Sequence, residues 1–367
     1  MQFYMPFRLI TGNNVVRSNG AALSAFGRRC LIVTGGSSAK TCGALDDVTA
    51  ALSEQNIAYT VYDGIRQNPT MASCLAGGQI GADFCADFVV GVGGGSPLDA
   101  AKVIAVCIAN PEAAEDALYR LEWANRPVPI VLVGTTAGTG SEVTSVAVIT
   151  NSEGRKRSVR GNDLYAALSF GDPRYTATMP HAVTASTGVD ALCHCAESFW
   201  SKPASDVSRA LATEGIRLLV PALEQVASGI TPDAQMRESL YSASILGGMA
   251  ISVTGTCAPH TIGYLLSEQY GVPHGFACAC FLTAFLRHSE AAAPEVASLF
   301  RAKTGMDIAR IESLLQKLLP PYHFHLSDAE LDALLPRWPL TVPNLAKTPG
   351  TCDSAVVKTF LRSVFAE

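Results

Sequence analysis

The chain has 367 residues, of which 48% are hydrophobic and 16% charged, with a formal net charge of −5. That length allows two domains with well-filled cores, and the composition is globular rather than disordered. The acidic balance argues against a general nucleic-acid binder, and there is no long uninterrupted apolar run to cross a membrane.

The opening Met1–Arg8 lacks a basic stretch followed by an apolar core, so no signal peptide is expected. Cys30–Thr34 reads as a buried strand ending at Gly35-Gly36, and Ala44–Ser53 as a helix. Ala58–Tyr62 is a second strand, and Asn68-Pro69-Thr70 opens another helix. Phe88–Val92 is a strand and Pro97–Ile108 a helix; Val128–Val133 is a strand followed by the small-residue loop Thr135–Ser141. This alternation predicts an α/β dinucleotide-binding domain with a parallel, doubly wound sheet over residues 1–178. After Asp172-Pro173 strand signals nearly vanish. The segments Ser205–Ala227, Ala234–Ile251, Gly275–His288, Ala329–Leu335 and Ser354–Phe365 read as helices, so an all-α domain is expected over 179–367. The stretch Pro336–Pro349 reads as an ordered surface connection.

The cysteines number eleven, an odd count, with no repeated C-x-x-C framework. Free, packed thiols in a reducing, cytoplasmic compartment are expected. Cys193, next to His194, and Cys257, three before His260, are expected to be buried small residues rather than ligands.

Two sets of residues carry chemistry. Gly93-Gly94-Gly95 follows a strand and precedes a helix, so a ligand can approach the backbone while Ser96 and the first helical amides donate to phosphate oxygens. This is neither G-x-G-x-x-G nor a P-loop. The loop Thr135–Glu142 also follows a strand, and two such loops at adjacent strand ends would line one crevice. After the first strand, Gly35-Gly36-Ser37-Ser38 offers no carboxylate to meet a ribose 2′-hydroxyl, and Lys40 is near, so NADP is expected over NAD. The second set is Asp190, His194, His260 and His274. Asp190 and His194 are four apart, on one helical face, and one carboxylate with three imidazoles suits Fe²⁺ or Zn²⁺. Glu197, seven beyond Asp190 on the same face, reads as support for that set or as packing, and not as a ligand.

These motifs together closely resemble the iron-containing (group III) alcohol dehydrogenases. The matching stretches are Gly93–Lys102, Thr135–Thr144, Asp172-Pro173, Thr187–His194 and Pro273-His274-Gly275, with Asn68-Pro69-Thr70 and the Phe-Tyr-Met-Pro start extending the likeness along nearly the whole chain. The resemblance implies the dehydroquinate synthase-like architecture, with an active site between the two domains and a homodimer as the minimal assembly. It implies metal ligation by Asp190, His194, His260 and His274. It implies cofactor contacts at Asn68, Gly94, Gly95, Ser96, Asp99, Thr135, Thr136, Thr139 and Lys156, and it sets Gly35 where NAD-preferring members often carry Asp; Ser37 follows in the same loop. The implied reaction is interconversion of an alcohol and an aldehyde or ketone with NAD(P)(H), with no nucleic-acid or membrane partner. One departure stands out: members commonly carry a second histidine four beyond the third ligand, thought to relay a proton, and here Tyr264 takes its place.

Other residues have plainer readings. His181, His288, His323 and His325 are expected at the surface or as caps, and Glu142 as a helix cap. Asp99 reads as a ligand for amides or ribose, or as a first-turn carboxylate. Ile251 is placed by the resemblance at the substrate pocket. The cluster Arg155-Lys156-Arg157 with Arg160 reads either as a solvated turn or as an attractor for a 2′-phosphate or an anionic aldehyde of the phosphonate or sulfonate type. Alternatives to the small-aldehyde reductase are a reductase of such an anionic aldehyde, a metal-dependent glycerol phosphate dehydrogenase, a dehydroquinate-synthase-like lyase, or a silent nucleotide-binding protein.

Overall fold

The computed structural model describes residues 3–365, so Met1 and Gln2 of the opening segment lie outside the described residues. The chain divides into two compact units: Tyr4–Met179 with Asp233–Tyr241, and Pro180–Pro232 with the chain from Ser242 on.

The first unit is built on a six-stranded, all-parallel sheet. Its strands are β1 (Arg8–Thr11), β2 (Arg29–Val33), β3 (Ala58–Tyr62), β4 (Phe88–Gly93), β5 (Ile130–Gly134) and, after an antiparallel hairpin of β6 (Val146–Thr150) and β7 (Lys156–Arg160), β8 (Leu168–Gly171). They lie in the order β1-β8-β5-β4-β2-β3. The central strands β4 and β5 are buried along their whole length, because helices cover both faces of a parallel sheet. Alternate residues feed two cores. Leu31, Val33, Val89 and Leu132 pack on one face with the helix Gly95–Ala109; Ile32, Phe88, Val90, Val131 and Val133 pack on the other with the helix Ala44–Glu54. The order reverses between β2 and β4, so the carboxyl ends of those strands, where Gly35 and Gly93 stand, flank the switch point at which such sheets bind ligands.

The predicted strands and helices of this unit form within a few residues of their expected bounds. The hairpin β6–β7 and the strands β1 and β8 were not anticipated: β7 is mostly basic and β1 and β8 are short, so neither period nor composition marks them.

The second unit is helical, as expected from its texture. Its main helices are His181–Trp200, Asp206–Ala227, the C-terminal part of Ala234–Thr254, Ala258–Gln269 and His274–Ala292. Among the described residues no single helix is long and apolar enough to cross a membrane. The stretch Pro336–Pro349 departs from its expectation of a surface connection. Trp338, Leu345 and Thr348 are buried, a short helix forms over Pro343–Lys347, and Thr348 Oγ1 accepts from the amide of Ala258 at 3.1 Å. Prolines dominated its reading, and they hid the apolar residues between them.

The loop after β5 is fastened to the helix after β4 by a buried cation. Lys102 is fully buried, and its Nζ donates to Ser141 Oγ (2.8 Å), Thr144 Oγ1 (3.1 Å) and the carbonyl of Val146 (2.7 Å). Asp99 lies 3.6 Å from the same Nζ; it accepts from Ser141 Oγ at 2.5 Å and from the amide of Val148 at 2.8 Å. Burial lowers the pKa of Lys102 against the opposing pull of Asp99 and Glu142. Lys102→Met removes three bonds and leaves Asp99 without its cation, so unfolding in urea should show a loss of about 3 kcal/mol relative to the parent chain.

Candidate metal centre and cofactor loops

The helix His181–Trp200 is buried along nearly all of its C-terminal half, and the i, i+4 spacing carries Asp190 and His194 on one face. The helix Ala258–Gln269 carries Pro259 as its second residue and presents His260 in its first turn; His274 opens the helix His274–Ala292. Gly275 explains why that last helix comes so close. A Cβ there would stand 1.9 Å from the carbonyl oxygen of Ser186 and 2.9 Å from Asp190 Cβ, so only glycine admits His274 to the neighbourhood of Asp190.

The result is a convergence on one atom. Asp190 Oδ1 lies 3.5 Å from His260 Nε2, 3.8 Å from His274 Nε2 and 4.0 Å from His194 Nε2. The four expected ligands are thus brought together. The rings of His194 and His260 stack with centroids 4.6 Å apart. Asp190 Oδ1 and His260 Nε2 are buried and make no hydrogen bond. Buried polar atoms seldom go unmatched, and two facing each other across 3.5 Å fit a cation between them. Burial alone would raise the Asp190 carboxyl, but the fields of His194, His274 and His260 carry it below its ordinary value. The carboxylate is therefore ionised, the state a ligand needs.

Glu197 holds the far side of His260. Its Oε1 lies 2.5 Å from His260 Nδ1, and its Oε2 accepts from the amide of Cys257 at 2.6 Å. A carboxylate on Nδ1 sets the tautomer that leaves Nε2 free to donate its lone pair to a metal. Tyr264, one turn beyond His260, is half-buried and stacks its ring on that of His274, with centroids 5.8 Å apart. Cys193 and Cys257 are buried, the latter with its Sγ 3.7 Å from the carbonyl of Glu197. A third thiol was not picked out from sequence: Cys278 Sγ lies 3.7 Å from His274 Nδ1. The spacing His274-x-x-x-Cys278 was the available signal.

In the first unit, Gly94 and Gly95 abut the second loop: a Cβ on Gly94 would meet Thr136 Cγ2 at 3.0 Å, and one on Gly95 would meet Thr139 Cγ2 at 2.8 Å. Ser96 lies in the first turn of the helix Gly95–Ala109. The amide of Thr135 donates to the carbonyl of Gly93 at 2.9 Å, continuing the β4–β5 ladder into the loops. Gly35 has no room for a side chain, since a Cβ would stand 2.1 Å from the carbonyl oxygen of Ile65; Gly36, at φ +54°, faces open space, and Ser37 follows at the start of a short helix. Asn68 sits at φ 56° ahead of Thr70, whose side chain caps the helix Met71–Asp83. Lys156 opens β7, paired with Thr150.

Several of the remaining residues have partners within the chain. Both oxygens of Asp99 are engaged by Ser141 and the Val148 amide. Glu142 does not cap a helix: its carboxylate is buried and accepts from Tyr241 Oη at 2.7 Å. Arg157, exposed in β7, stacks over the ring of Tyr119 at 4.4 Å. Nε2 of His181 lies 2.9 Å from the carbonyl of Val226 and that of His288 3.0 Å from the carbonyl of Pro349, while His323 and His325 are exposed.

The chain matches the family model described as "Iron-containing alcohol dehydrogenase" over residues 6–173, and that described as "Fe-containing alcohol dehydrogenase family, C-terminal" over residues 184–318. It belongs to the iron-containing alcohol dehydrogenases, a family of metal-dependent alcohol and aldehyde oxidoreductases that use NAD(P). It is 34% identical to a 1,3-propanediol dehydrogenase of Klebsiella pneumoniae, over 80% of this chain and 78% of that protein. It is 33% identical to a lactaldehyde reductase of Escherichia coli, over 74% and 69%. The fold superposes on an iron-containing alcohol dehydrogenase of Thermotoga maritima with a TM-score of 0.91 at 32% identity, covering 100% of this chain and 99% of that one.

Glu197→Gln keeps the shape of the side chain but removes the charge behind His260. Metal affinity, measured by competition with a chelator, should fall roughly ten- to a hundredfold, with the far-ultraviolet circular dichroism of the protein unchanged.

Proposed function

We propose that the chain reduces small aldehydes to alcohols with NADPH, using iron or zinc held by Asp190, His194, His260 and His274. The observation that carries this reading is the convergence of three imidazole Nε2 atoms on Asp190 Oδ1, with that oxygen and His260 Nε2 buried and making no hydrogen bond. Bound there, a divalent metal supplies Lewis-acid stabilisation of the negative charge that develops on the substrate oxygen.

The protein does the rest. Backbone amides after Gly94 and the N-terminus of the helix Gly95–Ala109 hold the pyrophosphate, with Ser96, Thr135, Thr136 and Thr139 beside them. Asn68 and Lys156 contribute further contacts to the nucleotide. Asp99 acts through the loops it ties to Lys102, and does not touch the cofactor. Tyr264 Oη delivers the proton that the family's second histidine would otherwise relay; its ring against His274 keeps it at the ligand set. The crowding of Gly35 by Ile65 supports the preference for NADPH, since a carboxylate that would repel a 2′-phosphate cannot be built at that position on this backbone. The names of the relatives, 1,3-propanediol dehydrogenase and lactaldehyde reductase, point to three-carbon oxygenated substrates as the first compounds to try.

The test is NADPH oxidation with a panel of small aldehydes, on protein stripped with a chelator and then reloaded with Fe²⁺ or Zn²⁺. Stripping should abolish turnover and reloading restore it, and His274→Ala should lower kcat/KM by about a hundredfold or more. Turnover that ignores both treatments would dismiss the metal-dependent reading. The same assay run with NADH should give the lower kcat/KM; the opposite order removes the NADPH preference. Tyr264→Phe should move the pH–rate profile, since phenol and water differ as proton donors, and an unmoved profile makes Tyr264 a packing residue.

A further inference from the structure

We propose that Thr348 is a positioning residue for His260: its hydroxyl, carried on a C-terminal segment, caps the helix that holds the histidine and so fixes where that ligand stands. This rests on the reading of Asp190 and the histidines as a metal site. The residues concerned all belong to the helical unit.

The first observation is a helix that does not cap itself. A helix start leaves backbone amides without an intrahelical acceptor, and a serine, threonine, aspartate or asparagine side chain at the N-cap usually meets one of them. The helix Ala258–Gln269 has Cys257 at that position, with no capping bond from its side chain, and Pro259 follows in the first turn. Two groups from elsewhere in the chain take over. Glu197 Oε2 accepts from the amide of Cys257 at 2.6 Å, and Thr348 Oγ1 accepts from the amide of Ala258 at 3.1 Å. His260 stands in that same first turn, so a slack helix start moves the imidazole directly.

The second is that the hydroxyl is itself fixed. Thr348 is fully buried, and its Oγ1 donates to the carbonyl of Asn344 at 3.3 Å while it accepts from Ala258. With its one proton committed, the oxygen presents a lone pair to the amide. The segment grips the loop ahead of His260 twice more. Asn344 Nδ2 donates to Thr256 Oγ1 at 3.1 Å, and Lys347 Nζ lies against Gly255, where a Cβ would stand 2.1 Å from it.

The third is what the segment is fastened to. The amide of Lys202, just beyond the helix His181–Trp200, donates to the carbonyl of Lys347 at 2.9 Å. Nε2 of His288, on the helix His274–Ala292, lies 3.0 Å from the carbonyl of Pro349. One short stretch of chain is thus bonded at or beside each of the three helices that carry Asp190, His194, His260 and His274. Thr348 adds no donor to the metal; it acts through the Ala258 amide on the placing of one that is already there.

The experiment loads the full-length protein with Zn²⁺ and titrates it with a chromogenic chelator, with unfolding of the metal-free protein followed alongside. Thr348→Val keeps the shape and removes the acceptor. Its zinc affinity should fall about tenfold, the lower end of the loss on removing an outer partner of a metal ligand. Thr348→Ser returns the hydroxyl and should bind zinc as the parent does. Ile311→Val, a buried change on the helix Ile308–Leu318, lowers stability without touching the segment and should leave zinc affinity unchanged. Parent-like affinity in Thr348→Val overturns the positioning role and leaves the metal site standing. So does an equal loss in Thr348→Ser or in Ile311→Val. Should Thr348→Val not fold, the half-buried Asn344 decides: Asn344→Ala is expected to bind zinc more weakly, and parent-like affinity overturns the role. A parent chain that holds no stoichiometric zinc overturns the metal-site reading and this one with it.

Discussion

One buried carboxylate oxygen, Asp190 Oδ1, organises the helical unit. An ionised carboxylate inside a protein is tolerated only with compensation, and here it comes from three imidazoles that reach it from three helices. None of those helices can move away without leaving a bare charge. The demand propagates outward: Gly275 is needed because any side chain would push His274 off Asp190, and Glu197 is needed because His260 must be turned with Nε2 inward. The tight packing of this region and its chemistry have the same origin.

The sheet unit answers a different constraint. Its glycine-rich loops have few side chains to pack, so they are held mostly by polar bonds to the helix Gly95–Ala109. Lys102 and Asp99 do that work from beneath, bonded to Ser141, Thr144, Val146 and Val148. A buried lysine and a buried aspartate are costly alone and acceptable together, because each satisfies the other and both satisfy the loop. Glu142, with its carboxylate against Tyr241 Oη, adds a second polar anchor in the same unit.

Much of the fold was legible. Continuous apolar runs such as Phe88–Val92, short, β-branched and closed by glycines, read as strands covered on both faces, and the segments after residue 180 read as helices. The hairpin β6–β7 escaped because β7 is mostly basic and only Val159 of it is buried, while the apolar β6 follows directly on the small-residue loop with no turn signal of its own; Ala147, Ile149 and Val159 anchor the pair in the core. The buried Trp338 and Leu345 escaped because prolines around them mimic a surface loop.

By itself the sequence determined the kinds of groups available: a carboxylate and histidines at helical spacing, glycine loops at strand ends, and a strand-then-helix order that specifies a parallel sheet. Spacing within one helix is a local property, so Asp190 with His194, and His274 with Cys278, could be paired from numbering alone. Only the tertiary structure decided which groups meet across helices. It brought Glu197 onto His260 and turned Asp99 toward Ser141 and the amide of Val148, because contacts between elements depend on how closely backbones approach, and that distance is decided by side chains far apart in the chain.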